Sequence, residues 1–114
     1  MPRLWMVDPV RMCQKHLVAE HHECHVFLGK MKKRQRLDGY ISANLFSAHD
    51  LWWRHQALVH ELLRRGYNHN SPFPTRLEVG ALAEYLPAHP MLDRARAFED
   101  LMQRGCACYE GTVS

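Results

Sequence analysis

The chain has 114 residues, of which 46% are hydrophobic and 24% are charged. This length and composition suit one domain, over residues 1–114, with a hydrophobic core that needs no disulfide staples. The net charge is only +3, which does not by itself require a polyanionic partner. No secretory segment and no apolar run of membrane-spanning length is present, so we expect a cytoplasmic protein with reduced thiols.

The first predicted helix covers residues 9–31. Asp8 is a typical N-cap residue, and Pro9 suits the first position of a helix. Apolar residues recur at helical spacing through this range. Gly29 is the one residue within it that disfavours a helix.

A basic connector over residues 32–42 leads to a second long predicted helix at 43–65. Leucine and tryptophan residues recur there at helical spacing. Gly66 is a typical residue for ending a helix, and the positive charges of Arg64 and Arg65 complement the helix dipole just before it.

Two shorter helices are predicted in the remainder of the chain. Thr75 can cap a helix over residues 76–86, which Pro87 ends, and Pro90 can open a last helix over residues 90–104. No stretch has the alternating pattern of a β-strand. The sequence therefore predicts an all-α fold in which two long helices and one or two shorter ones pack around one core.

Three polar residues of the first predicted helix share one face. At about 100° per residue, Glu20 lies about 40° round the helix from His16, and Glu23 lies about 20° back from it. His22 points away from this line. The stripe is compatible with an ordinary solvated face whose neighbours interact at helical spacing, and equally with a functional site.

The sequence contains nine histidines, an unusual number that raises the question of a metal site. His21, His22 and His25 surround Glu23, and imidazole is a common zinc ligand. The three side chains spread around the helix, however, so they cannot all reach one ion. The chain also has no CxxC pair and no HExxH motif. We predict no metal site, and keep a His/Cys metal-binding protein as an alternative.

Three stretches of the chain have the order and spacing found in a known protein family. They are Pro2-Arg3, the segment HLVAEHHE at 16–23, and the segment 39–72, which ends in RRGYNHNSP. Together they resemble the phage endonuclease V family of pyrimidine-dimer DNA glycosylases, closely over residues 1–72 and more loosely over the final predicted helix. The resemblance implies the all-helical fold of that family and a DNA-repair activity.

The resemblance also implies catalytic residues. In the family the initiating methionine is removed and the α-amine of the second residue is the nucleophile, which is Pro2 here. Pro2 replaces the usual threonine, but its secondary amine can still form an iminium. Glu23 corresponds to the catalytic carboxylate of the family. One amine and one carboxylate suffice for the glycosylase and lyase steps, so no cofactor is expected.

A set of DNA contacts follows from the same resemblance: Arg3, His16, His22 and Arg96. His22 stands where the family usually has arginine, so a hydrogen-bond donor is kept and a permanent charge is lost. Asp100 stands where a lysine is expected, which weakens the hold on phosphates. Of the aromatic cluster expected near the C-terminus, only Tyr109 is present, and this leaves the lesion open.

We therefore expect a monomeric DNA glycosylase with abasic-site lyase activity that acts on damaged double-stranded DNA, the lesion being a cyclobutane pyrimidine dimer. The alternatives are a glycosylase for another modified base and a non-catalytic DNA-binding module of the same fold. The basic runs at 30–36 and 64–65 fit either solvated surface or phosphate contact. Trp52 and Trp53 are assigned to core packing, since aromatic residues on helices usually pack inside.

Overall fold

Helices make up the regular secondary structure of residues 2–69 and 71–104, the part of the chain that this computed structural model describes. No strand occurs in those two ranges, which confirms the all-α prediction. None of the helices there is long and apolar enough to cross a membrane. In the same ranges a 3-10 turn at Pro9–Arg11 is followed by α1 (Gln14–Lys32), α2 (Asp38–Ser42), α3 (Leu51–Arg64), α4 (Arg76–Leu82) and α5 (Arg94–Gln103).

The hydrophobic core lies mainly between α1 and α3, which pack along each other, and α4 lies against both. The side chains of Phe27 and Phe46 stack within it, with their ring centroids 4.3 Å apart. Each aliphatic or aromatic side chain removed from water here contributes about 1.5–3 kcal/mol. The buried apolar residues of the two long helices are Leu17, Cys24, Phe27, Leu28, Met31, Leu51, Leu58 and Leu62.

The N-terminal segment, residues 3–7, is buried although it forms no helix. The backbone N–H of Leu4 donates to the carbonyl of Leu45 at 2.7 Å, and the N–H of Trp5 donates to the carboxylate of Glu20 at 2.9 Å. A buried amide without a partner is strongly disfavoured. These two bonds therefore fix the path of the segment across α1.

The first long helix begins later than residue 9, where the sequence predicted it. Asp8 caps the separate 3-10 turn, and α1 has its own N-cap at Cys13. Between them Met12 is extended, with ψ of 141°. Its side chain is buried in the core and its carbonyl accepts a hydrogen bond from Arg65 at 2.7 Å. These tertiary contacts hold the bend that separates the turn from the helix.

The second long helix also begins later than predicted, at Leu51 instead of residue 43, and the predicted connector contains α2. Asn44 has φ of 62°, which no helix interior accommodates. Its side chain exchanges two hydrogen bonds with the backbone of Asp93, at 2.9 and 2.7 Å. The carbonyl of the next residue, Leu45, accepts the hydrogen bond from the backbone N–H of Leu4 in the N-terminal segment. Long-range bonds thus replace helical ones here.

The predicted end of this helix and the predicted start of α4 are confirmed. Gly66 has φ of 90°, and the N–H of Tyr67 donates to the carbonyl of Leu62 at 3.0 Å, as in a Schellman motif. The hydroxyl of Thr75 accepts the N–H of Glu78 at 3.2 Å and so caps α4.

The two short helices are shorter than predicted. α4 ends at Leu82 and not at residue 86, where the chain continues as turns. α5 begins at Arg94 and not at residue 90, because the carboxylate of Asp93 caps it by accepting the N–H of Arg96 at 3.1 Å.

Candidate active site

Glu20 anchors the N-terminal segment to α1. Its side chain is 1% exposed, and its carboxylate accepts the Trp5 N–H and pairs with the guanidinium of Arg54 on α3. A buried carboxylate requires such partners. Of the two interpretations of the stripe, an ordinary solvated face therefore does not hold at Glu20. The N-terminal segment and Arg54 cover it.

Pro2 and Glu23 both lie near this anchor and are half-buried. Pro2 is three residues before Trp5, so the chain places it at most about 11 Å away. Glu23 is about 4.5 Å further along the axis of α1 than Glu20 and about 60° round it. The N-terminal segment thus crosses α1 at Glu20, about one helical turn from Glu23.

The carboxylate of Glu23 has a perturbed pKa. Burial raises it, the charges of His22 and of the N-terminal amine partly lower it again, and the nearby charge of Glu20 raises it. A carboxylate with a raised pKa is a better base at neutral pH than an ordinary one.

Trp5 brings two of the predicted DNA-binding residues together. The guanidinium of Arg3 lies over its ring at 3.7 Å from the centroid, and the ring of His16 meets it edge-on at 5.9 Å. Trp5 is only 5% exposed, so it supports these side chains. The sequence named its neighbours but did not identify this supporting role, which depends on the fold of the N-terminal segment over α1.

Arg3 is held by the protein on its other side as well. It is 9% exposed, and one of its nitrogens lies 3.6 Å from the carboxylate of Asp100 on α5. Burial lowers the pKa of Arg3, and Asp100 partly raises it again. The aspartate that stands in place of the expected lysine therefore balances part of the charge of Arg3.

The remaining two predicted contacts lie at the surface. His22 is exposed beside Glu23, and Arg96 is exposed on α5, one turn before Asp100. The structure thus gathers Pro2, Arg3 and the α1 stripe around the N-terminal segment and leaves His22 and Arg96 solvent-exposed. Tyr109 lies outside the described residues.

The model of one protein family, pyrimidine dimer DNA glycosylase, matches residues 3–75. The chain belongs to that family. No curated protein and no solved structure matches it significantly. The matched range contains the N-terminal segment, α1, α2 and α3, while Arg96 and Asp100 lie beyond it.

The basic runs of this glycosylase-family chain differ in their surroundings. Arg64 and Arg65 both bind the carboxylate of Glu61, at 2.6 and 2.7 Å. Arg65 also donates to the Met12 carbonyl, so it holds the start of α1 in place. Residues 32–36 are exposed and open to solvent. Within that run, Arg36 pairs with Asp38 at 3.0 Å.

The tryptophan pair on α3 is also divided. Trp52 packs partly buried against the core, as predicted, whereas Trp53 is 55% exposed. The two rings meet edge-on with centroids 4.9 Å apart. The assignment of Trp53 to core packing is therefore wrong, because it lies on the outer face of α3.

The face of α1 opposite Glu23 carries a second polar group, the histidine cluster. At about 100° per residue, His21 and His25 lie about 160° to either side of Glu23. They meet His55 of α3 and His69 of the loop that follows α3. One ring nitrogen of each of the four lies within 4.8 Å of those of the others.

The ring nitrogens at the centre of the cluster are shielded from water. In the described ranges, the Nε2 atoms of all four rings are buried and have no hydrogen-bond partner. Burial, reinforced by the neighbouring histidines, lowers the pKa of His21 and His55 to about 4 and lowers that of His25 as well. An unpartnered buried polar atom costs roughly 1–3 kcal/mol, so four in one place require an explanation.

Two of the four histidines of the cluster could not be recognised from the sequence. His22 does not join His21 and His25, as predicted, because it is exposed. His55 and His69 come close to them only through the packing of α3. The available signals were the high histidine content and the four-residue spacing of His21 and His25, which places both on one face.

Proposed function

We propose that this chain is a DNA glycosylase with an associated abasic-site lyase activity that acts on pyrimidine dimers in double-stranded DNA. Its nucleophile is the amine of Pro2 after removal of Met1, and Glu23 is its catalytic carboxylate. The observation that carries the proposal is the anchoring of the N-terminal segment by the Trp5–Glu20 hydrogen bond, one helical turn from Glu23. Membership of the glycosylase family supports the reaction class.

The proposed nucleophile is a terminal amine because it must be unprotonated to react. An α-amine has an ordinary pKa of about 7.7–8.0, against about 10.4 for lysine. The nitrogen of Pro2 attacks the sugar C1′, the bond from C1′ to the base breaks, and the base leaves with its electron pair. Loss of the amine proton and opening of the sugar ring then give an iminium at C1′.

Glu23 serves both halves of the reaction. The transition state for base loss has positive character on the sugar, which a nearby carboxylate stabilises. The raised pKa of Glu23 suits it to take a proton afterwards. Removal of a proton from C2′ expels the 3′ phosphate, and the strand is cut by β-elimination.

The DNA contacts divide into two groups in this proposal. Arg3 and His16, fixed by Trp5, hold the phosphates next to the reacting sugar. His22 and Arg96 are exposed and contact the backbone further away. Chemistry on a base inside a duplex requires the helix to be kinked or the base extruded. The exposed cations at 32–36 add attraction that weakens with salt.

The test is reductive trapping with borohydride on three duplexes, which contain a pyrimidine dimer, an abasic site or no damage. A covalent adduct should form with the first two only, and blocking the N-terminal amine should abolish it. An adduct with the abasic duplex alone would contradict the dimer as substrate. Salt-sensitive binding without any adduct would contradict catalysis altogether and favour the non-catalytic module.

A further inference from the structure

The histidine cluster offers the donor set that a late first-row transition metal prefers. Imidazole nitrogens suit zinc, copper and nickel, whereas calcium and magnesium take oxygen ligands. The four rings come from α1, α3 and the loop after α3. Their Nε2 atoms are the ones that lack a hydrogen-bond partner within the described part of the chain. Every ring therefore has a nitrogen to give to an ion.

The spacing of the rings fits one tetrahedral ion. Five pairs of rings in the cluster have centroids between 4.9 and 5.3 Å apart. Zinc–nitrogen bonds of 2.0–2.1 Å in tetrahedral geometry place imidazole centroids roughly 5 Å apart. The ligand nitrogens, all within 4.8 Å of one another, need to close to about 3.3 Å. Binding of an ion therefore requires the rings to turn toward it.

The surroundings of the cluster resemble the outer shell of a metal site. Nδ1 of His55 lies 2.8 Å from the amide oxygen of Gln56. A proton on Nδ1 that is donated to this oxygen leaves Nε2 free to ligate, and metal-bound histidines are usually oriented this way. Phe73 stacks on His55 at 3.9 Å and meets His25 edge-on at 5.2 Å. It limits the access of water.

We propose that His21, His25, His55 and His69 bind one zinc ion as a structural site. Four protein ligands leave no open coordination position, which is typical of structural and not of catalytic zinc. The ion joins α1 to α3 and to the following loop. It lies on the face of α1 opposite Glu23, so it takes no part in the proposed glycosylase chemistry and its test is independent of that activity.

The first experiment measures zinc in protein purified without a histidine tag. Native mass spectrometry and elemental analysis should find an equimolar amount, and chelated protein should take up the same amount again. Cobalt added to the chelated protein should give the intense visible bands of tetrahedral cobalt. This readout uses the wild-type chain, so it does not depend on the folding of any variant.

The second experiment compares two histidine variants. H69A removes a ligand in a loop and should lower the affinity for zinc by at least about a hundredfold, the upper end of what loss of an outer-shell partner costs. H60A removes an exposed histidine of α3 and should bind zinc as the wild type does.

Thermal melting completes the test. A chelator should lower the melting temperature of the wild type and of H60A but leave that of H69A unchanged, and zinc should restore the first two. Chelated wild-type protein that binds neither zinc nor cobalt would overturn the proposal. So would an H69A variant with wild-type zinc affinity.

Discussion

The two polar faces of helix α1 bury their polar atoms in different ways. On the Glu23 face, the buried charges meet protein partners: Glu20 meets Arg54, and Arg3 meets Asp100. On the face of the histidine cluster, the four buried Nε2 atoms have no hydrogen-bond partner in the described ranges, and one ring nitrogen of each lies within 4.8 Å of those of the others. Buried polar groups require partners. On the first face ion pairs supply them for the charges, although Nε and one terminal nitrogen of Arg3 have no hydrogen-bond partner among the described residues; on the second face the proposed zinc ion would supply them. If both proposals hold, one helix carries reaction chemistry on one side and structural support on the other.

The largest predicted effect belongs to Glu23, the proposed catalytic carboxylate. E23Q should lower the rate of strand cleavage by about 100- to 10,000-fold, the usual contribution of a positioned acid–base group. Its side chain is half-buried and is not part of the Glu20 anchor, so the melting temperature should change little. Single-turnover cleavage of a lesion-bearing duplex measures the rate.

The control for this change is E78Q on α4, which replaces an exposed glutamate. It should leave the cleavage rate intact. A wild-type rate for E23Q would remove Glu23 from the reaction and with it the functional distinction between the two faces.

The next largest effect is on folding stability. E20A leaves the guanidinium of Arg54 buried without its partner and should lower the free energy of unfolding by about 3–5 kcal/mol. Urea denaturation measures the loss. The double variant E20L/R54M should recover much of it, because two apolar side chains leave no buried charge. A small loss for E20A alone would contradict the account of this face as held by paired charges.

Acid should also weaken the ion pairs that Glu61 makes with Arg64 and Arg65, and so lower the free energy of unfolding. Hydrogen bonds and charge from Arg64 and Arg65 lower the pKa of Glu61 from 4.5 to about 2. The unfolded chain therefore binds this proton at a higher pH than the folded one. The stability that Glu61 contributes is complete above pH 4.5 and is lost toward pH 2, at up to about 1.4 kcal/mol per pH unit.

The variant E61Q isolates this contribution. Unfolding free energies of the wild type and of E61Q, measured by denaturation between pH 2 and pH 5, should differ most at pH 5 and converge as the pH falls. Parallel curves for the two proteins would show that Glu61 does not titrate in this way.

The extent to which the sequence predicted the fold depends on how local the cause of each feature is. Gly66 and Thr75 act on their immediate neighbours, and the helix boundaries that they predict are observed. Asn44 could not be recognised as a break, because it is set by hydrogen bonds to Asp93, 49 positions away.

In the candidate sites, too, features with a local cause were predictable and features that depend on distant residues were not. Periodicity placed Glu20 and Glu23 near one another on α1, but the burial of Glu20 depends on Arg54 from another helix. The histidine cluster needs His55 and His69, whose approach to α1 no local pattern records. The pairing of the N-terminal residue with Glu23 was predicted only from the resemblance to a family, and not from any local pattern.

The smallest predicted effect concerns the charge beside Arg3. D100N frees this arginine from its ion pair, which is partly exposed, and stability should change by less than about 1 kcal/mol. Duplex DNA should bind a few-fold more tightly. The slope of log affinity against log salt should steepen by about 0.9 if Arg3 gains one phosphate.

The matched control for this variant is E99Q, which removes the same charge from the neighbouring exposed position of α5. Fluorescence anisotropy at several salt concentrations measures both variants. An equal gain for E99Q would mean that the effect comes from net charge and not from Arg3.

The most direct test of the account is to locate the atom that holds the substrate. Borohydride-trapped complexes of the wild-type chain with an abasic duplex are digested and mapped by mass spectrometry. We predict that the sugar remnant is attached to the amine of Pro2 in a chain that has lost Met1. Attachment to a lysine, or a trapped chain that retains Met1, would contradict the central claim that the N-terminal amine is the nucleophile beside Glu23.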